Sequence, residues 1–374
     1  MNKFCYLSVF VLTLLAMPLV SYAHCKGKHT GNHPHCASEP PPPPPESCAD
    51  AEGEFPAFAF SRANYGRGGK FWSGNDIVLA NSTGTCEETI FSLDHRYSTD
   101  LKFRLNGNQG RIVWTQYGLE NMGRKDPSGG VVKLLTFDVN AGEISNVSHT
   151  VAWRHAPDLG PHTLVGSDLS PDGNTVYFTF SDHSQLPDGG DVIATVRHID
   201  ITTCTSYCPH TIISSTPSTF PYWALSMNLD ATRLYFVQLQ GGVGFIDIAT
   251  EEIRYIMKMS DFLLPNVAFE RISVGYLSTW NEAIAVGYGN DRSNTLDIID
   301  VGSCFIDGTP VTGPTCLASG FSSFVKTEIP GGMSTFDGPD LIVSDGGSLY
   351  IHSVEGTAAP ALFILNGHAP DSAE

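Results

Sequence analysis

Ser167-Asp-Leu-Ser-Pro-Asp-Gly-Asn-Thr-Val-Tyr-Phe-Thr-Phe180 consists of a short lead-in, the tripeptide Pro171-Asp172-Gly173, and a run of β-branched and aromatic residues. Proline presets the first corner of a turn, aspartate bonds to nearby backbone, and glycine takes a left-handed conformation without steric cost. The stretch therefore reads as two strands joined by a tight turn. Degenerate copies stand on either side of it: Phe103-Arg-Leu-Asn-Gly-Asn-Gln-Gly-Arg-Ile-Val-Trp-Thr115 and Leu225-Ser-Met-Asn-Leu-Asp-Ala-Thr-Arg-Leu-Tyr-Phe-Val237.

Each copy is followed, after a loop of variable length, by a further strand that ends in an Asp-rich or small-residue turn. The pairs are 112–116 with 133–138, 176–180 with 192–200, 234–238 with 244–247, and 283–287 with 295–300, and two more fit at the ends, 57–61 with 76–80 and 341–344 with 348–354. That makes six copies of one supersecondary unit, spaced about 50 to 65 residues apart, each too small to bury its own apolar face. No long stretch shows a helical period. Closing such units around an axis buries their faces and leaves no long exposed edge, so the expected fold is all-β, a six-bladed β-propeller.

The Ser-Pro-Asp-Gly turn before Val-Tyr-Phe resembles the TolB-like, WD40-like (PD40) β-propeller repeat. The segment Asp76-Ile-Val-Leu-Ala-Asn-Ser-Thr-Gly-Thr-Cys86 is similar to the third strand and turn of that repeat. The resemblance implies a propeller over residues 55 to 367. No second domain precedes the repeats, so the translocation role of the founding periplasmic family is not carried over.

Composition agrees with this class. The 374 residues are 41% hydrophobic, which is enough for a large core, and a formal net charge of −18 offers no basic face for nucleic acid. Residues 1–23 combine Lys3, an apolar run from Phe4 to Val20 and small residues at Ser21 and Ala23, the pattern of a secretory signal peptide. A membrane anchor is the alternative, but Ser8, Thr13 and Pro18 interrupt the run and no basic stop-transfer cluster follows. The expected compartment is thus periplasmic or extracellular, with no membrane span, and a monomer is expected.

Cleavage removes Cys5 and leaves eight of the nine cysteines, an even count that suggests disulfides in an exported chain. Local spacing pairs Cys25 with Cys36, Cys204 with Cys208 and Cys304 with Cys316, and elimination pairs Cys48 with Cys86. Residues 24–39 form a His/Cys-rich arm, expected to be disordered. Residues 40–47 carry six consecutive prolines, Pro40 to Pro45, a stiff polyproline spacer, and the propeller occupies 48–374. Within the arm, His24, His29, His33 and His35 are candidate ligands for Zn²⁺ or Cu²⁺. The alternative is a small loop closed by Cys25 and Cys36 with solvated histidines.

Catalytic signatures are missing: no nucleophile elbow, zinc helix, phosphate loop or dinucleotide fingerprint is present. Propeller sites are assembled from separate blades, so the candidate ligand-binding residues are those entering the first strand of successive blades. By repeat position these are His155, His162, Tyr222, Trp223, Glu270 and Arg271. The expected function is binding of a protein or envelope ligand on one face. The alternatives are a hydrolase or lactonase-type enzyme with an axial metal, and a structural protein with no discrete ligand.

Overall fold

The computed structural model describes residues 48, 51–65, 72–93, 101–116, 130–155, 162–182, 192–204, 206–218, 222–238, 242–258, 268–276, 282–290, 293–301, 305–306, 309–310, 324–330, 333–345, 348–354, 359–364 and 368–372. The signal peptide, the arm with His24, His29, His33, His35, Cys25 and Cys36, the proline linker, and Cys304 and Cys316 lie outside the described residues.

Six antiparallel sheets make up the ring. Listed from the inner strand outward, blade 1 is His368–Ser372, Phe58–Tyr65, Trp72–Ala80 and Glu87–Leu93; blade 2 is Lys102–Asn106, Gln109–Gln116, Val131–Asn140 and Glu143–Arg154. In blade 3 the short strands His162–Thr163 and Ser167–Leu169 share the inner place, followed by Thr175–Asp182, Val192–Asp200 and Thr211–Ser218. Blade 4 is Tyr222–Met227, Arg233–Gln238, Gly242–Asp247 and Ile253–Lys258. Blade 5 is Ala268–Tyr276, Glu282–Asn290, Ser293–Asp300 and Phe324–Pro330, and blade 6 is Met333–Asp337, Asp340–Asp345, Ser348–Ser353 and Ala361–Ile364. All six strand pairs expected from the repeats are present.

The two middle strands of a blade are covered on both faces by neighbouring blades, which is why they are continuous apolar runs such as Leu234-Tyr-Phe-Val237 rather than alternating ones. The outermost strand Glu143–Arg154 is exposed along most of its length. One apolar cluster fills each of the six interfaces. Between blades 4 and 5, for example, Tyr235, Val237 and Phe245 meet Ile272, Ile284 and Val286; between blades 6 and 1, Ile342, Leu349 and Ile364 meet Phe58, Phe60 and Val78. The start of the propeller thus lies beside its last blade, with Phe58 edge-on to Phe363 at 5.3 Å between ring centroids.

His368–Ser372, at the far end of the chain, supplies the inner strand of blade 1 and pairs with Phe58–Ser61, so both ends of the propeller share one sheet. At the other edge of that blade, Cys48 and Cys86 form a disulfide with 5.6 Å between Cα atoms, tying the incoming chain to the turn before Glu87–Leu93. Asn81, fully buried in that turn, donates to the Glu52 carbonyl at 2.7 Å. The Cys204–Cys208 disulfide pins the loop after Val192–Asp200, and the amides of Tyr207 and Cys208 bond to the carbonyls of Val151 and Ala152 on blade 2.

The repeat turns are alike in atomic detail. In 170–175 and 228–233 the first and last residues exchange hydrogen bonds across the turn, Ser170 with Thr175 and Asn228 with Arg233. The third residue, Asp172 or Asp230, accepts the amide of the fifth at 3.0 Å, and the fourth, Gly173 or Ala231, has φ of 68° or 58°. The 103–115 copy is shorter: a two-residue hairpin in which Asn106 pairs with Gln109 and Gly107 takes a φ of 58°.

Two outcomes follow from this turn. Gly173→Ala places a Cβ in the left-handed region and should cost about 1 kcal/mol in urea denaturation, whereas Ala231→Gly should cost nothing or stabilise. The Ser170 hydroxyl, the Asn174 amides and Arg111 hold the Asp172 carboxyl below its ordinary value. Its contribution is complete above about pH 4 and is lost as pH falls through the lowered value. Between pH 7 and pH 3 the wild type should therefore lose more stability than Asp172→Asn.

Candidate functional site

The inner strands touch in a closed cycle, and one set of hydrogen bonds crosses each of the six gaps between them. From blade 1 to blade 2, the Phe103 amide donates to Asp371 Oδ2 at 2.6 Å. From blade 2 to blade 3, Arg104 Nη2 donates to Asp168 Oδ1 at 3.4 Å, and from blade 3 to blade 4 the Met227 amide donates to Asp168 Oδ2 at 2.6 Å. Hydroxyls span the rest of the circuit. The Val274 amide donates to Ser226 Oγ at 3.1 Å, Ser273 Oγ and Ser334 Oγ lie 3.0 Å apart, and the Ser372 amide donates to Thr335 Oγ1 at 3.2 Å.

Four charged groups are buried on the axis. Arg104 Nη1 bonds to Asp371 Oδ2 at 3.2 Å and to the Phe103 carbonyl at 2.7 Å, while Lys102 Nζ lies 3.5 Å from Asp371 Oδ1. Asp168 is fully buried, and Lys102, Arg104 and Asp371 are 5%, 6% and 4% exposed. Burial of this kind is tolerated only with nearly complete pairing. Burial pushes the Asp371 carboxyl up, against the pull of Lys102 and Arg104.

A small, partly open cavity, with room of about 20 Å³ for water-sized groups, lies inside this circuit. Arg104, Ser226, Ser273, Thr335, Asp371 and Ser372 form its polar wall, and Leu229 stands at the turn where the inner strand of blade 4 ends. Gly275 lines it too, where blades 5 and 6 approach so closely that a Cβ would sit 2.3 Å from the Phe336 ring. The cavity therefore lies toward the end where the inner strands finish.

The residues singled out from the sequence lie elsewhere. His162, Tyr222, Trp223, Glu270 and Arg271 have their backbones in the beginnings of the inner strands of blades 3, 4 and 5. Tyr222 is buried edge-on to Phe236, Trp223 packs against the cluster between blades 4 and 5, and Arg271 is half-buried at a bulge; the side chains of His162 and Glu270 lie outside the described residues. His155 follows the outer strand of blade 2 and is buried between Trp153 and Phe180. Beside it, Trp153 Nε1 donates to His210 Nδ1 at 3.1 Å, and burial together with Arg197 pulls the His210 pKa down.

Sequence reasoning passed over Lys102, Arg104, Asp168 and Asp371. A signal for two of them exists: when the repeats are aligned on the turn, Arg104, Asp168 and Ser226 fall in one column, two residues before it. A further buried charge sits between blades 4 and 5, where Glu282 accepts from Asn228, Arg233, Tyr235 and Tyr276. Burial and that carboxylate push the Tyr276 phenol up to about 12. Among the described residues, no group of three or more His, Cys, Asp and Glu is arranged to hold a metal.

No family model matches the chain, and no curated protein does. Among solved structures it is similar to a protein assigned as TolB from Agrobacterium tumefaciens, with a TM-score of 0.44 and 8% identity over 84% of this chain and 91% of that one. An oligogalacturonate lyase in complex with manganese gives 0.44 and 10% over 81% and 77%. The Cps50 (Swd1) propeller of Myceliophteria thermophila gives 0.43 and 13% over 81% and 84%. Likeness at this level transfers no residue and no activity; the six-bladed ring rests on the strand pairing.

If the axial charges hold the ring together, removing one leaves its partners buried and unpaired. Asp168→Ala should cost about 3–5 kcal/mol in chemical denaturation, while the exposed Glu143→Ala should stay within about 0.5 kcal/mol.

Proposed function

We propose that this chain is an exported propeller that works by binding, holding a protein or envelope ligand over the end of the axis where the cavity opens. One observation carries the reading. Asp168 accepts from Arg104 and from the amides of Leu169 and Met227, and Asp371 accepts from Lys102, Arg104 and the Phe103 amide. A carboxylate that acts as base or nucleophile needs an uncommitted lone pair and room to move, and these two are committed to the inter-blade circuit. Beside the paired Asp371, the cavity wall carries hydroxyl and guanidinium groups, which suit recognition.

Export is supported by the two disulfides and by the leader-like first 23 residues. The arm, with His24, His29, His33 and His35, adds affinity for Zn²⁺ or Cu²⁺ as a second contact.

The test uses the mature chain, residues 24–374, as bait against its native envelope or extracellular fraction, beside Leu229→Trp, which fills the opening from an exposed turn position. Wild type should retain a partner, and the variant, melting at the same temperature, should retain about tenfold less. Equal retention by both would remove the axial face from the reading. A stoichiometric metal together with hydrolytic turnover would replace it with the enzyme alternative.

A further inference from the structure

The polar groups around the axial cavity are unequally matched, with donors left over once every carboxylate is satisfied. Each carboxylate oxygen of Asp168 and Asp371 already accepts at least one hydrogen bond. On the donor side, Arg104 uses Nη1 and Nη2, but its buried Nε has no partner among the described residues. Ser226 Oγ accepts the Val274 amide and keeps its own proton to give. The pairs Ser273 with Ser334 and Thr335 with Ser372 each use one hydroxyl proton between two oxygens, leaving the second of each pair available. A buried guanidinium N–H left unmade is costly, so such a wall favours an occupant that brings acceptor lone pairs.

We infer that the axial cavity is a binding site for one carboxylate group, with Arg104 as its charged anchor and the hydroxyls of Ser226, Ser273 and Thr335 as its neutral donors. This deepens the binding reading, on which it rests, by naming the chemistry of the group that enters. The planar fork of arginine matches a carboxylate, and short hydroxyl side chains approach it from several blades at once. The cavity is narrow and Leu229 stands at its opening, so the carboxylate comes from a small free acid or from the end of a chain threaded into the axis.

The mature chain is titrated with sodium acetate and with sodium chloride at matched ionic strength, and then with an extended tripeptide as free acid and as C-terminal amide, following the melting temperature and calorimetric binding. Acetate should raise the melting temperature saturably while chloride does not, and the free-acid peptide should bind at least about tenfold more tightly than its amide if the source is a chain end. Acetate binding without peptide binding assigns the site to small acids. Arg104→Lys keeps the charge but loses Nε and the fork, and should weaken acetate by about tenfold or more. Leu229→Asp, on the exposed turn, should weaken it whether its carboxylate repels the ligand or occupies the cavity, and it decides the matter if Arg104→Lys fails to fold. Equal effects of acetate and chloride, or acetate affinity unchanged in Leu229→Asp, overturn the inference. A chain that captures a partner through its axial face yet ignores carboxylates loses this inference alone, whereas one that binds acetate but captures nothing loses the partner reading alone.

Discussion

A ring of blades has two open edges until its first and last sheets are joined, and the rest of this structure depends on how that join is made. His368–Ser372 crosses from the end of the chain into blade 1 and pairs with Phe58–Ser61. The same short strand carries Asp371, which binds the Phe103 amide, Arg104 and Lys102 of blade 2, and Ser372, whose amide binds Thr335 of blade 6. Three blades therefore meet on five residues. Backbone pairing supplies the closure, and the side chains orient it.

The inner circuit changes character around the axis. From blade 1 to blade 4 the links involve ionised groups, and from blade 4 back to blade 1 they are hydroxyls. Buried ion pairs contribute little net stability, because desolvation offsets most of their attraction, but breaking one leaves a charge stranded. The apolar clusters between blades supply the bulk of the stabilisation, at about 1.5–3 kcal/mol for each large side chain buried.

The same circuit shapes the reading of function. Groups that look reactive in a list of residue types, two aspartates with an arginine and a lysine, are held by fixed amides and by one another. Their surplus is donor capacity, concentrated in one guanidinium nitrogen and a few hydroxyls facing a narrow space. A wall built this way offers hydrogen bonds to acceptors.

Strand pairing was legible in the sequence because doubly covered strands must be continuously apolar and their turns need Pro, Asp and Gly at set offsets; the 167–180 stretch shows both. The Cys48–Cys86 and Cys204–Cys208 bridges were legible from spacing and count. The closing strand was not, since His368-Ala-Pro-Asp-Ser372 has no apolar run and becomes a strand only when the edge of Phe58–Tyr65 is offered to it. The site was hidden for a related reason. Asp371 lies 267 residues from Arg104 in the chain, and no local pattern marks two charges that meet only when a ring closes. Sequence alone determined the repeated unit and its number, through periodicity and turn chemistry, which act over a dozen residues. Only the tertiary structure decided what lines the axis, because that depends on six strands, each contributing one or two side chains, being brought together at the centre.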